Sequence, residues 1–297
     1  MTHIYSVHGL TIASEVEFPE LLPGSGEPDV WVRRGAVPEH LPHGATSGVL
    51  FEASPDNYLL RLDGTARYWA RAGREVLIDI APKALEVRVR THFLGAVLTA
   101  LLHQRGVLVM HASCVLGSRG AVLLAGHSGH GKSTLAAALA SRGYRAAGDD
   151  AAVVTADRDD RLIVQPGFPQ VRLWADAVSR LGHSPEQVRR VDPDKAKYAL
   201  ELGESHTPEP HALAALFLLG VRPSGPVQHE TVSGAESFNA VLAHTRNLRV
   251  LQGLRMQVPH FRLVTSVSSR VPITRMTRPL DRDSLAELVD RVVPALS

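Results

Sequence analysis

Ala121-Val122-Leu123-Leu124-Ala125-Gly126-His127-Ser128-Gly129-His130-Gly131-Lys132-Ser133-Thr134 carries the most informative pattern in the chain. Its first five residues are an apolar run of the kind a buried parallel strand needs. Gly126 to Ser133 then fit G-x-x-x-x-G-K-[ST] in full. A helix-forming run follows, Leu135 to Ala140, and Gly143 supplies a stop just past Arg142. In such a strand–loop–helix, glycines let successive N–H groups converge on phosphate oxygens. The helix start adds the positive end of its dipole at the same point. Gly126, His127, Ser128, Gly129, His130, Gly131, Lys132, Ser133 and Thr134 are therefore the expected nucleotide-binding residues. In this pattern Lys132 reaches the β- and γ-phosphates and the Ser133 hydroxyl takes a place on Mg²⁺.

Working outward, the segment Gly143 to Asp150 reads as a short strand ending in two acids, Asp149 and Asp150. Ligands of open α/β sheets sit at the carboxyl ends of strands. Phosphoryl transfer needs a metal holder and a group that positions or deprotonates the nucleophile. An acid pair at a strand end beside a phosphate loop suits both needs. Upstream, residues 107–117 read as a strand interrupted at His111. Thr91 to Arg105 places Phe93, Leu94, Val97, Leu98, Leu101 and Leu102 on one helical stripe, stopped by Gly106.

Residues 1–90 alternate in short runs broken by turn residues at His8-Gly9, Asp63-Gly64 and Ala72-Gly73. They predict a small antiparallel β-rich domain, residues 1–90, ahead of an α/β domain, residues 91–297. In the latter, residues 166–182 pass from a Pro-rich loop to a helix. Residues 183–210 read as a charged loop around Asp192–Tyr198. Leu213–Val221 predicts a buried strand, Ala235–Thr245 a helix, Phe261–Val267 and Ile273–Met276 strands, and Ser284–Val293 the last helix.

Composition narrows the function classes. A formal net charge of +2 implies no general nucleic-acid surface. The 15 histidines are scattered without a cysteine pattern, so no zinc site is expected. The single cysteine, Cys114, excludes an internal disulfide and fits a reducing cytoplasm. No run reaches the roughly 18 apolar residues of a membrane span, and the first residues lack a signal-peptide pattern. A cytoplasmic protein without a membrane partner is the expectation.

Taken jointly, Gly126-His127-Ser128-Gly129-His130-Gly131-Lys132-Ser133, Arg142-Gly143-Tyr144 and Gly148-Asp149-Asp150 resemble the catalytic domain of the HPr kinase/phosphorylase family. That family shares its style of phosphate loop with the phosphoenolpyruvate carboxykinases. The resemblance is strongest over residues 105–175. It implies an α/β, P-loop, carboxykinase-like kinase domain using ATP and Mg²⁺. It implies that Asp150 accepts the proton of a target serine and that Ser133 and neighbouring acids, Asp149 here, hold Mg²⁺. His111, in Met110-His111-Ala112, matches a family histidine on the strand before the loop. The family's metal-binding glutamate has no counterpart in Gln165–Trp174, and residue 148 is Gly where the family has Ala.

The chain looks more like a divergent branch of HPr-kinase-like proteins, some of whose members phosphorylate a serine of a lasso-type precursor peptide. The resemblance thus implies a hydroxyl-bearing peptide or protein acceptor, and homo-oligomers are frequent in the family. HPr itself, a small-molecule acceptor, or a nucleotide-binding regulator without transfer are the alternative readings. Arg172, Lys195, Lys197 and Arg246 are candidates to neutralise charge or grip an acidic acceptor.

Overall fold

The computed structural model describes residues 1–42, 45–191 and 196–297. Its contacts divide the chain into two compact units. Residues 1–109 and 246–262 form the first; residues 110–245 and 263–297 form the second.

The first unit is built on one sheet in which His3–Val7, Leu10–Ser14, Val30–Arg34, Glu75–Ile80, Ala66–Arg71, Asn57–Leu62 and Phe51–Ser54 are successive neighbours. The expected purely antiparallel pairing is corrected here. Leu10–Ser14 runs parallel to Val30–Arg34, which runs parallel to Glu75–Ile80. Residues 15–29 supply the dozen or so residues a parallel crossover needs. The turns at His8-Gly9 and Ala72-Gly73 form as the sequence predicts, all four residues having positive φ.

The helical stretch begins earlier than its periodicity suggests, at Glu86 rather than Thr91. It runs as Glu86–His92, a wider turn Phe93–Val97, and Leu98–Gln104. The expected domain boundary at residue 90 falls inside it, and its contacts place residues 91–109 with the first unit. Two interactions tie it there. Phe93 stacks on Phe18 with ring centroids 4.5 Å apart, and the Tyr68 hydroxyl donates to the Val89 carbonyl at 2.9 Å.

The second unit positions the site. In its main sheet Gly120–Gly126 pairs antiparallel with Ala112–Gly117 and parallel with the central strand His211–Arg222. On the other side of that central strand lies Ile273–Pro279, also parallel. The loop strand, the central strand and Ile273–Pro279 thus end at the same edge of the sheet. Ala112–Gly117 pairs on its far side with Arg145–Gly148, which brings the acid pair to that edge.

The helix after the loop, Lys132–Ser141, buries Leu135, Ala136, Ala137 and Leu139 in a core shared with Val122, Leu173 and Leu288. Full burial of each leucine stabilises by about 1.5–3 kcal/mol. The helix ends as Gly143 predicts: φ is 90°, and Tyr144 N–H bonds Leu139 O while Gly143 N–H bonds Ala140 O. Those two bonds close a Schellman cap.

Three expectations change in this unit. Gln170–Trp174 is a strand before the helix Ala175–Arg180, and it pairs with Lys197–Glu201. Of the stretch read as a charged loop around 192–198, residues 192–195 lie outside the described residues. Phe261–Val267 is not a strand but part of a helix, Gln257–Arg270. Its buried residues His260, Val264 and Val267 recur every three or four positions, which is helical spacing. Among the described residues no helix is long and apolar enough to cross a membrane.

Candidate active site

The loop strand delivers Gly126 at φ 154°, where a side chain would bring its Cβ within 2.7 Å of the Leu219 carbonyl. Only glycine lets the chain leave the sheet this close to the central strand. His130 then fastens the loop to the same residue, its Nδ1 lying 2.8 Å from Leu219 O. The chain enters the helix at Gly131, φ 97°, and the helix begins at Lys132.

Lys132 is 6% exposed. Its ammonium donates to Gly126 O at 2.8 Å and to His127 O at 3.3 Å. It also lies 3.1 Å from His111 Nε2. Because the ammonium has only donors, Nε2 accepts and the ring proton of a neutral His111 sits on Nδ1. That nitrogen is 3.1 Å from the Asp150 carbonyl and 3.5 Å from Asp150 Oδ1. His111 therefore spans the lysine and the second acid.

The two acids have separate surroundings. Asp149 is 2% exposed. Its Oδ1 accepts from Ser113 Oγ at 2.5 Å and from Ser133 Oγ at 3.0 Å, and its Oδ2 accepts from the Arg172 main-chain N–H at 2.8 Å. Asp150 adopts φ 70°, a conformation Asp tolerates better than most residues. Arg172 Nη1 stands 3.6 Å from its Oδ2. Gly148 makes the turn into this pair possible: φ is 145°, and a Cβ would meet Gly167 Cα at 3.0 Å.

A cavity of about 440 Å³ gathers these groups. Ser128, Gly129, Gly131, Lys132, Ser133 and Thr134 line one part, and His111, Asp150 and Arg172 also face it. Gly126, His127, His130 and Asp149 are not among its lining residues. They support it from behind, through the contacts already given. Lys197 lines the cavity and Arg246 does not; Lys195 lies outside the described residues.

Three further residues join the site without a signal in the sequence. Ser113 reaches Asp149 only because its strand pairs with Arg145–Gly148. Arg278, at the end of the strand Ile273–Pro279, brings Nη2 to 3.5 Å from Gly129 O and Nε to 3.5 Å from His130 O. His244 carries its ring 5.7 Å from that of His127, and its carbonyl accepts from the His111 main-chain N–H at 2.8 Å. Burial, then the neighbouring His127, Lys132, His111 and His130, push the His244 pKa down to about 4. It stays neutral at pH 7 beside the lysine.

No family model matches this chain. No curated protein matches it. Among solved structures it is similar to the Hpr(Ser) kinase/phosphatase from Coxiella burnetii, with 13% identity over 63% of this chain and 93% of that one and a TM-score of 0.33.

Proposed function

We propose that this chain is an ATP- and Mg²⁺-dependent kinase that transfers a phosphoryl group to a serine-type hydroxyl of a peptide or protein. One observation carries the reading: Asp150 and the loop residues Ser128, Gly129, Gly131, Lys132, Ser133 and Thr134 face a single cavity, and His111 spans Asp150 and Lys132 across it. The joint spacing of His111, the loop and the acid pair, and its resemblance to HPr-kinase-type domains, point the same way.

The residues fit the groups this chemistry needs. The loop amides and the Lys132 ammonium suit a triphosphate. Ser133 Oγ and Asp149 are hard oxygen donors held against each other, and they would hold Mg²⁺. Among the described residues no three His, Cys, Asp or Glu side chains form a metal site by themselves. A few protein oxygens, with substrate phosphates and water supplying the rest, is the usual Mg²⁺ arrangement at such sites. When bound, the ion neutralises charge on the phosphates.

The chain's own residues account for the rest. Asp150 takes the proton from the acceptor hydroxyl as its oxygen bonds the γ-phosphorus and the bond to the bridging oxygen breaks. A positioned base of this kind contributes about 10²–10⁴-fold. Lys132 stabilises charge on the phosphoryl oxygens, and Arg278 and Arg172 are placed to add to it. His111 acts through its neighbours, holding Lys132 and the Asp150 backbone in register.

The test is to incubate the protein with labelled ATP, Mg²⁺ and serine-bearing peptides, then locate the phosphate by mass spectrometry. Phosphoserine on a peptide supports the reading. Tight nucleotide binding with no acceptor modified supports a regulator instead.

A further inference from the structure

We propose that the part of the cavity bounded by Trp174, Leu280, Leu285 and Ser284 is the nucleoside subsite, with the Trp174 indole stacking on the base and the Ser284 hydroxyl bonding its edge. The inference rests on the nucleotide-binding reading above and adds the residues that hold the half of the molecule the loop does not touch.

Direction is set by the loop. Lys132 serves the β- and γ-phosphates, and the backbone of the loop serves the α- and β-phosphates. His111 and Asp150 stand with Lys132, so that side is the transfer end. The nucleoside leaves from the other side, past Thr134 and the first turn of the helix. That helix packs against the strand Gln170–Trp174 and the C-terminal helix Leu285–Leu296. Leu135, Leu173 and Leu288 share one buried cluster, so the cavity walls at 173–174 and 284–288 flank the turn that Thr134 occupies.

The chemistry of those walls suits a base. Trp174 is 43% exposed and Leu280 58% exposed, large apolar surfaces left open inside a cavity. Ser284 is 5% exposed, and its Oγ is buried without a hydrogen-bond partner among the described residues. A buried hydroxyl in that state costs stability until something bonds it. Ser284 lines the cavity, so rotation about its Cα–Cβ bond turns Oγ towards a ligand there. Asp176, Arg180, Asp281, Arg282 and Asp283 line this part as well, so the apolar surface is the Trp174 indole with Leu280 and Leu285, set among polar groups; a flat apolar surface with polar groups at its edge takes a planar heteroaromatic ring. A hydroxyl both donates and accepts, so Ser284 can bond the edge of adenine or of guanine alike.

Calorimetric titration of the whole protein with Mg·ATP, Mg·GTP and Mg·tripolyphosphate tests this. Trp174→Ala is expected to weaken ATP binding about fivefold to a hundredfold. Ser284→Ala is expected to weaken it about threefold to tenfold. Tripolyphosphate affinity should stay within twofold of wild type in both, and Trp174→Phe should restore most of the loss. The free Ser284→Ala protein should melt no lower than wild type, since an unpartnered hydroxyl is what it removes. ATP and GTP should bind within about tenfold of each other. Unchanged ATP affinity in both alanine variants, with wild type binding ATP and tripolyphosphate, overturns the subsite and leaves the phosphate reading standing. A rise in the acceptor's KM with unchanged ATP affinity also overturns it. Wild type that binds neither ligand overturns the subsite and the nucleotide reading together.

Discussion

The ammonium of Lys132 lies 3.1 Å from Nε2 of His111. The lysine can only donate, so His111 is held as the Nδ1–H tautomer while it stays neutral, with that proton directed at Asp150. Removing the ring takes away one of the contacts that hold the Lys132 ammonium, leaving those to Gly126 O and His127 O, and loosens the Asp150 backbone. His111→Ala is therefore expected to lower kcat by about ten- to a hundredfold. Nucleotide affinity should change much less. Parallel kinetics and ATP titrations check this; an equal loss in both would place His111 in binding rather than positioning.

Asp149 is expected to hold the site together as well as serve it. Asp149→Ala leaves Ser113 Oγ, Ser133 Oγ and the Arg172 N–H without their acceptor. Leaving buried donors unmatched costs about 2–4 kcal/mol here. The variant should melt several degrees lower and lose Mg²⁺-dependent nucleotide binding. Thermal melts with and without Mg·ATP read both effects.

Stability should fall in mild acid. Burial pushes His8 down to about 3, and His103 and His244 to about 4, from an ordinary value of 6.5. The unfolded chain binds protons at these sites that the folded chain refuses. Their contribution is complete above pH 6.5 and is lost as pH falls towards 4. Burial pushes Glu52 up, but its bonds from Leu41 N–H, His40 and Arg61 outweigh that and hold it down to about 2, so its contribution is lost mainly below its ordinary 4.5. Denaturant melts between pH 7 and 5 should show the histidine slope alone. A flat profile there would mean these histidines are not buried as described.

Gly148→Ala tests the backbone before the acid pair. The residue sits at φ 145° with Gly167 Cα 3.0 Å from where a methyl would go. Strain of about 1–3 kcal/mol is expected. Transfer should drop more than the melting temperature suggests, because Asp149 and Asp150 follow directly. An alanine variant with wild-type turnover would show that the turn has room.

What the sequence makes legible is what it writes contiguously. The apolar run 121–125, the glycines of the loop, the Ala-Leu helix and its Gly143 stop all carry their geometry locally. Pairing register is not local. Ser113 and Arg278 reach the site through strand neighbours 30 or more residues away, and no spacing announces them. Alternation along Val30–Arg34 likewise looks the same whether its neighbours run parallel or antiparallel. In Phe261–Val267, the β-branched Val264, Thr265 and Val267 suggest a strand by propensity. The burial of His260, Val264 and Val267 on one helical face overrides it.

In the proposed reaction a triphosphate held at Lys132 and a proton acceptor at Asp150 work together. Asp150→Asn is the sharpest probe, since Asn also tolerates the φ of 70° and keeps the side-chain shape. Single-turnover transfer from labelled Mg·ATP to an accepted peptide should fall about 10²–10⁴-fold in this variant while ATP affinity stays near wild type. Lys132→Ala should lose both. Turnover by Asp150→Asn at the wild-type rate would contradict the account.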